Sequence, residues 1–245
     1  MRINRFVLLS TVVLALFSAF TLNVVTAAPA RGDACYTWNR TLKRGMSGGD
    51  VEQLQIRLAG WVSYGENLAL DGDFGPATEA AVKRFKKGYN FSDTTGVAGS
   101  GVFKKLYDLQ DADCTPQHFD HSEFNYSCGE RDYTGGKVSA ATAKRNMMRL
   151  MWQLEAMRKK LGGRAIVISS GFRSISCNSS VGGSSTSLHM YGKAADFSRS
   201  SGPSLCEMHG AAKRAGFEEI LGPGYSGHSD HTHVGNKSSR FWAGC

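Results

Sequence analysis

The sequence predicts an α+β protein: a small three-helix N-terminal domain over residues 35–114, then a domain over residues 115–245 that mixes a long helix with short strands. Three observations predict it. Residues 42–109 break into short apolar stretches at helical spacing, punctuated by glycine and proline. Residues 139–161 carry one long stripe of helical period, whereas residues 165–168, 193–198 and 231–235 have the length and alternation of strands.

Ahead of both domains, Met1-Arg-Ile-Asn-Arg5 leads into an apolar run from Phe6 to Phe20 and then into Val25-Thr-Ala-Ala-Pro-Ala30, the order of parts in a secretory signal. Residues 1–28 are therefore expected to be removed, with cleavage after Ala27 or Ala28. The run is short for a bilayer span, so no stable membrane association is expected afterwards. All six cysteines lie beyond the signal, in a chain that would fold where disulfides persist. Cys35 and Cys114 bracket the first domain and pair if bridges respect domain limits. Cys128, Cys177, Cys206 and Cys245 leave three pairings open.

In the first domain, a polar and glycine-rich turn ending at Asp50 precedes Val51, Leu54 and Leu58, one short helix. The turn Leu70-Asp-Gly-Asp-Phe-Gly-Pro76 follows. Its proline suits the first position of a second helix carrying Ala81, Val82 and Phe85. Gly96 to Gly101 form a break before a third helix with Val102, Phe103 and Leu106. Three short helices bury little apolar surface, so a Cys35–Cys114 staple would help. Asp71-Gly-Asp-Phe-Gly-Pro-Ala-Thr78, with Ala81, Val82 and Phe85, resembles the peptidoglycan-binding domain that accompanies many cell-wall hydrolases.

Residues 111–127 read as a polar linker containing His118 and His121, three apart and with nothing nearby to complete a metal site; packing or surface roles are expected. In residues 139–161, Met147, Leu150, Met151, Leu154, Met157 and Leu161 share one helical face, and Gly162-Gly163 ends the helix. Ala165-Ile-Val-Ile168 reads as a buried strand that delivers Arg173 to a loop, where its guanidinium is shaped to clamp a carboxylate. A glycine- and serine-rich flexible tract, residues 178–187, delivers His189.

In the strand 193–198, Ala194, Asp196 and Ser198 share a face, and a carboxylate buried there needs a cationic partner. Residues 204–215 read as a crossing helix in which His209 has a packing or surface role. The strand 231–235, which reads as a sheet edge, puts His231 and His233 on one face. One can reach a metal; the other would orient a ligand or face substrate. Asp230 stands just before the strand, where it would serve as general base beside the open coordination position of such a metal.

The formal charge is zero over residues 31–114, with eleven basic and eleven acidic residues, and +6 over residues 115–245. A mildly positive second domain suits an anionic substrate. No Lys/Arg block or aromatic-basic alternation points to nucleic acid, and no partner chain is called for, so a monomer is expected.

Ser187-x-His189-x-x-Gly192-x-Ala194-x-Asp196, paired with His228-x-Asp230-His231-x-His233, resembles the zinc D-alanyl-D-alanine carboxypeptidases of the M15 family. The likeness spans residues 119–245. It implies a mainly antiparallel sheet and one Zn2+ per chain held by His189, Asp196 and His233. It further implies Asp230 as catalytic base, Arg173 and His228 as contacts to substrate or transition state, and the pairings Cys128–Cys177 and Cys206–Cys245. The expected activity is hydrolysis of peptidoglycan stem peptides outside the cell, with release of the terminal D-alanine. A peptidoglycan endopeptidase of the same fold and a non-catalytic wall-binding protein are the alternatives.

Overall fold

A computed structural model describes residues 35–125, 128–129 and 132–245; the secretory signal expected over residues 1–28 lies outside the described residues. The chain opens with α1 (Gly49–Leu58), α2 (Pro76–Gly88) and α3 (Ser100–Asp108). Pro76 occupies the first turn of α2, where its missing N–H costs nothing. Val51, Leu54, Leu58, Ala81, Val82, Phe85, Val102, Phe103 and Leu106 are all buried in one cluster, which Trp61 and Phe74 help to close. Cys35 and Cys114 are bridged across it.

Residues 111–127 are more than a polar linker. Phe119 and Phe124 are buried in a second cluster, and Asp120 and Glu123 cap the single turn α4 (His121–Phe124) reciprocally. His118 lies 3.0 Å from Glu155 and His121 2.8 Å from Tyr133 Oη, so both histidines have packing partners.

Helix α5 (Ala140–Lys160) starts where the Ser139 hydroxyl accepts from Thr142 N–H. Its Met147, Leu150, Met151, Leu154 and Met157 enter the second cluster, while Trp152 and Ala156, on another face, enter the first. The sequence pattern had suggested one apolar stripe; the helix has two.

Beyond α5 come β1 (Ile168–Ser170), α6 (Ile175–Ser180), a 3-10 turn (Leu188–Tyr191), β2 (Ala194–Ser198), α7 (Leu205–Ala212), β3 (Glu219–Leu221), β4 (His231–Gly235) and β5 (Phe241–Ala243). The sheet order is β1-β2-β4-β3-β5, antiparallel except for the parallel pair β3/β5. Cys128–Cys177 and Cys206–Cys245 are bridged. Among the described residues, no helix is long and apolar enough to cross a membrane.

Three local expectations are corrected. Strand β1 begins at Ile168 rather than Ala165, because the 198–202 turn takes the earlier backbone groups: Gly202 N–H donates to Ala165 C=O and Ser201 Oγ accepts from Val167 N–H. The tract 178–187 starts inside a helix, α6, whose first turn is capped by the Ser174 hydroxyl. Strand β4 is interior, not an edge, because β3 covers its far side and β5 extends the sheet beyond it.

Candidate active site

Alternation and register assemble the site. Asp196 on β2 stands directly opposite His233 on β4, with Ser198 opposite His231 and Ala194 opposite Gly235, so all six share one face. The other face buries Ala195, Phe197, Thr232 and Val234 against the helices, which fixes the register. His189 arrives from the 3-10 turn. That turn closes at Gly192 with φ of 65°, and a Cβ there would lie 2.4 Å from the Ala143 carbonyl oxygen, so only glycine lets it rest on α5.

Each donor atom is selected by what its side chain touches elsewhere. His189 Nδ1 lies 2.5 Å from the Gly171 carbonyl and donates to it, which turns Nε2 inward. Asp196 Oδ2 accepts from Arg173 Nη2 at 2.7 Å, leaving Oδ1 to face the two imidazoles. His233 Nδ1 lies 2.8 Å from Asp196 Oδ1 and 3.2 Å from His189 Nε2. The three side chains are buried, and their inward donor atoms lie within 4.8 Å of one another.

Electrostatics hold the Asp196 carboxylate ionised and the His189 ring neutral. Burial favours the neutral form of Asp196, but His189 and His233 outweigh it and hold the carboxyl well below its usual range. Burial lowers the pKa of His189, so its ring is a neutral donor. It also opposes charge on His233, yet the neighbouring Asp196 and Glu219 carboxylates raise that ring to about 9, so a cation would displace a ring proton. Two imidazoles and a carboxylate, buried at the floor of a cavity, match the donor set of a hydrolytic zinc site with one position left open.

That cavity has a volume of about 420 Å3. Arg173, His228, His231 and Glu219 line it together with the three donors and the loop 181–188. Arg173 is held by Ser170 Oγ, which accepts from its Nε at 2.8 Å. His228 Nδ1 is 2.9 Å from the Ser226 carbonyl, and its ring stands 4.7 Å from that of His231. Asp230 is placed differently. It is exposed at the mouth, its Oδ1 is 2.8 Å from His231 Nδ1, and it is not itself among the residues lining the cavity. His231 bridges the gap, with Nε2 4.0 Å from Asp196 Oδ1.

Sequence reasoning named the three donors, Arg173, His228 and Asp230, but overlooked Glu219 and the cavity walls formed by Leu188 and Leu221. Glu219 was hard to find because β3 has three residues, too few for alternation to signal that Glu219 and Leu221 share a face. His209 is buried 3.2 Å from the Ala243 carbonyl, consistent with packing.

Two family models match the chain, Peptidase M15 over residues 117–235 and a peptidoglycan binding domain over residues 47–106. The zinc D-Ala-D-Ala carboxypeptidase of Streptomyces albus G is 53% identical over 211 residues, covering 86% of this chain and 81% of that relative.

Proposed function

The chain belongs to the M15 peptidase family, and from that premise we propose that it is a secreted zinc carboxypeptidase that releases the C-terminal D-alanine of peptidoglycan stem peptides. One observation carries the reading: His189 Nε2, Asp196 Oδ1 and His233 Nδ1 converge at the floor of a cavity that also presents a guanidinium. Those three atoms would hold the ion. Zinc, when bound, supplies an acidified water and a Lewis acid for the scissile carbonyl.

The chain's own groups do the rest. Asp230 is the base that takes the proton of the attacking water. It works with His231, because Asp230 Oδ1 accepts from His231 Nδ1 while the opposite edge of that ring faces the cavity. The same pair returns the proton to the departing amine. Arg173 lines the cavity as a donor to the substrate's carboxylate and the developing oxyanion, and His228 lines it as a further contact to substrate. Arg173 also favours a free C-terminus over an internal bond, which supports a carboxypeptidase over an endopeptidase.

The helical module would keep the enzyme on peptidoglycan, the +6 charge of residues 115–245 suits an anionic wall, and three disulfides fit work outside the cell as a monomer. The test is digestion of stem peptides ending in D-Ala-D-Ala with free or amidated C-termini, read by mass. Loss of one D-alanine from the free form alone is the expected result. Equal cleavage of both forms, or cleavage only at internal bonds, would replace this reading with the endopeptidase.

A further inference from the structure

The inward atom of His233 is Nδ1, which leaves Nε2 pointing away from the other two donors. That nitrogen is buried and has no well-aligned hydrogen-bond partner, and the Glu219 carboxylate approaches it to 3.3 Å. An imidazole that binds a metal through one nitrogen keeps a proton on the other, and a buried N–H without an acceptor is costly. A small turn of either side chain would align the pair.

The fold provides for this contact. The β3/β4 register sets Leu221 opposite His233 and Glu219 opposite Gly235, so Glu219 reaches His233 diagonally along the face that carries the site. At Gly235 a Cβ would sit 2.6 Å from Leu188 Cδ1, on the face that also carries His233. The other carboxylate oxygen of Glu219 accepts from Lys237 Nζ at 2.6 Å, which anchors the side chain from outside. The Glu219 side chain is only 14% exposed, so water competes weakly for its Oε1.

We propose that Glu219 is a positioning residue that accepts the His233 Nε2 proton, fixes the ring as the Nε2–H tautomer and thereby presents the Nδ1 lone pair to zinc. The inference rests on His189, Asp196 and His233 being the ligands. Lys237, just beyond the end of β4, holds Glu219, and Glu219 stands against His233 on the neighbouring strand. Asp is too short to span the diagonal, whereas Gln retains an oxygen that can accept from Nε2.

The experiment measures zinc affinity by competition with a chromophoric chelator for the wild type, Glu219→Ala, Glu219→Gln and His189→Ala, together with the far-UV circular dichroism and Tm of each apo-protein. Glu219→Ala is expected to weaken zinc 10- to 100-fold, the usual effect of losing such a partner, and Glu219→Gln to recover most of that loss. A folded Glu219→Ala variant that binds zinc as tightly as wild type would overturn the proposal. Should the alanine variant not fold, long-range 1H–15N spectra of zinc-loaded wild type decide: a proton on His233 Nε2 is expected, and one on Nδ1 overturns it. Failure of the ligand set looks different, since then His189→Ala would keep wild-type zinc affinity.

Discussion

The ring nitrogens of His189 are distinguished by a single backbone contact, the Gly171 carbonyl on Nδ1, and under the proposed function Nε2 is then the metal donor. Replacing His189 with alanine removes a buried side chain, whereas replacing Asp230 removes an exposed carboxylate paired with His231. His189→Ala should therefore come out of dialysis with little zinc, and Asp230→Ala with nearly one zinc per chain but turnover reduced by about 100-fold or more. Zinc content by atomic absorption beside turnover checks both, and equal zinc loss would refute the division of roles. If Asp230 works through His231, then His231→Ala should lose a similar share of turnover while also keeping zinc. The same scale settles the five Asn-x-Ser/Thr sites of the sequence. Asn125, Asn178 and Asn236 are buried, while Asn39 and Asn90 are exposed. Protein made in a glycosylating host should carry glycans at those two positions alone, a mass difference that enzymatic deglycosylation would reveal.

At the scale of elements, legibility followed the length of the repeating signal. Helix α5 was readable because its apolar residues repeat over several turns, and α2 because Pro76 marks its start. Strands β2 and β4 were readable because five residues of alternation place Asp196 and His233 on predictable faces. The three-residue strands β3 and β5 offered no such repeat, and with β3 went Glu219 and the interior position of β4. Pairing partners are a property of the sheet rather than of any one strand, so the opposition of Asp196 and His233 needed the structure. Arg173 is expected from sequence to serve substrate, and its contact with Asp196 Oδ2 is not readable there because it joins residues 23 apart across α6 and the 3-10 turn. Gly192 links the two kinds of knowledge. The motif contains it, and the geometry explains it: left-handed backbone and no room for a Cβ, which would lie 2.4 Å from a carbonyl oxygen of α5. Gly192→Ala combines αL strain of about 1 kcal/mol with a backbone clash, so the turn carrying His189 must shift. A fall in Tm of several degrees together with weaker zinc binding is expected, both measurable on one preparation by calorimetry and chelator competition. An unchanged zinc affinity would mean that the turn absorbs the methyl group without moving His189.

Taken over residues 35–245, the helical module and the catalytic module share a structural member, because α5 supplies Trp152 and Ala156 to one core and Met147, Leu150, Met151, Leu154 and Met157 to the other. The approach is close: a Cβ on Gly60 would lie 2.5 Å from Ala156 Cβ. Polar contacts reinforce it, with Lys160 Nζ donating to the Gly60 carbonyl at 2.6 Å, Gly65 N–H to the Lys213 carbonyl at 2.8 Å and Asn67 Nδ2 to Glu218 at 2.6 Å. Arg57, buried between the Trp38 and Trp152 rings, adds a cation–π sandwich at 5.1 and 5.7 Å from the two centroids. A helical module joined this way is packed directly against the module that carries the cavity rather than hung on a slack tether. Two consequences are measurable. Wild type should unfold in one calorimetric transition, because melting the helical core strips α5 of a face that the catalytic core needs covered. Trp152→Ala, at a side chain 2% exposed, should cost about 3–5 kcal/mol. Since α5 also floors the turn that carries His189, the loss should lower the single Tm and the temperature of zinc release together. Two resolved transitions in wild type, or a Trp152→Ala variant that melts its helical module while the catalytic module keeps its zinc to the original temperature, would show that the cores are energetically separate despite their shared helix.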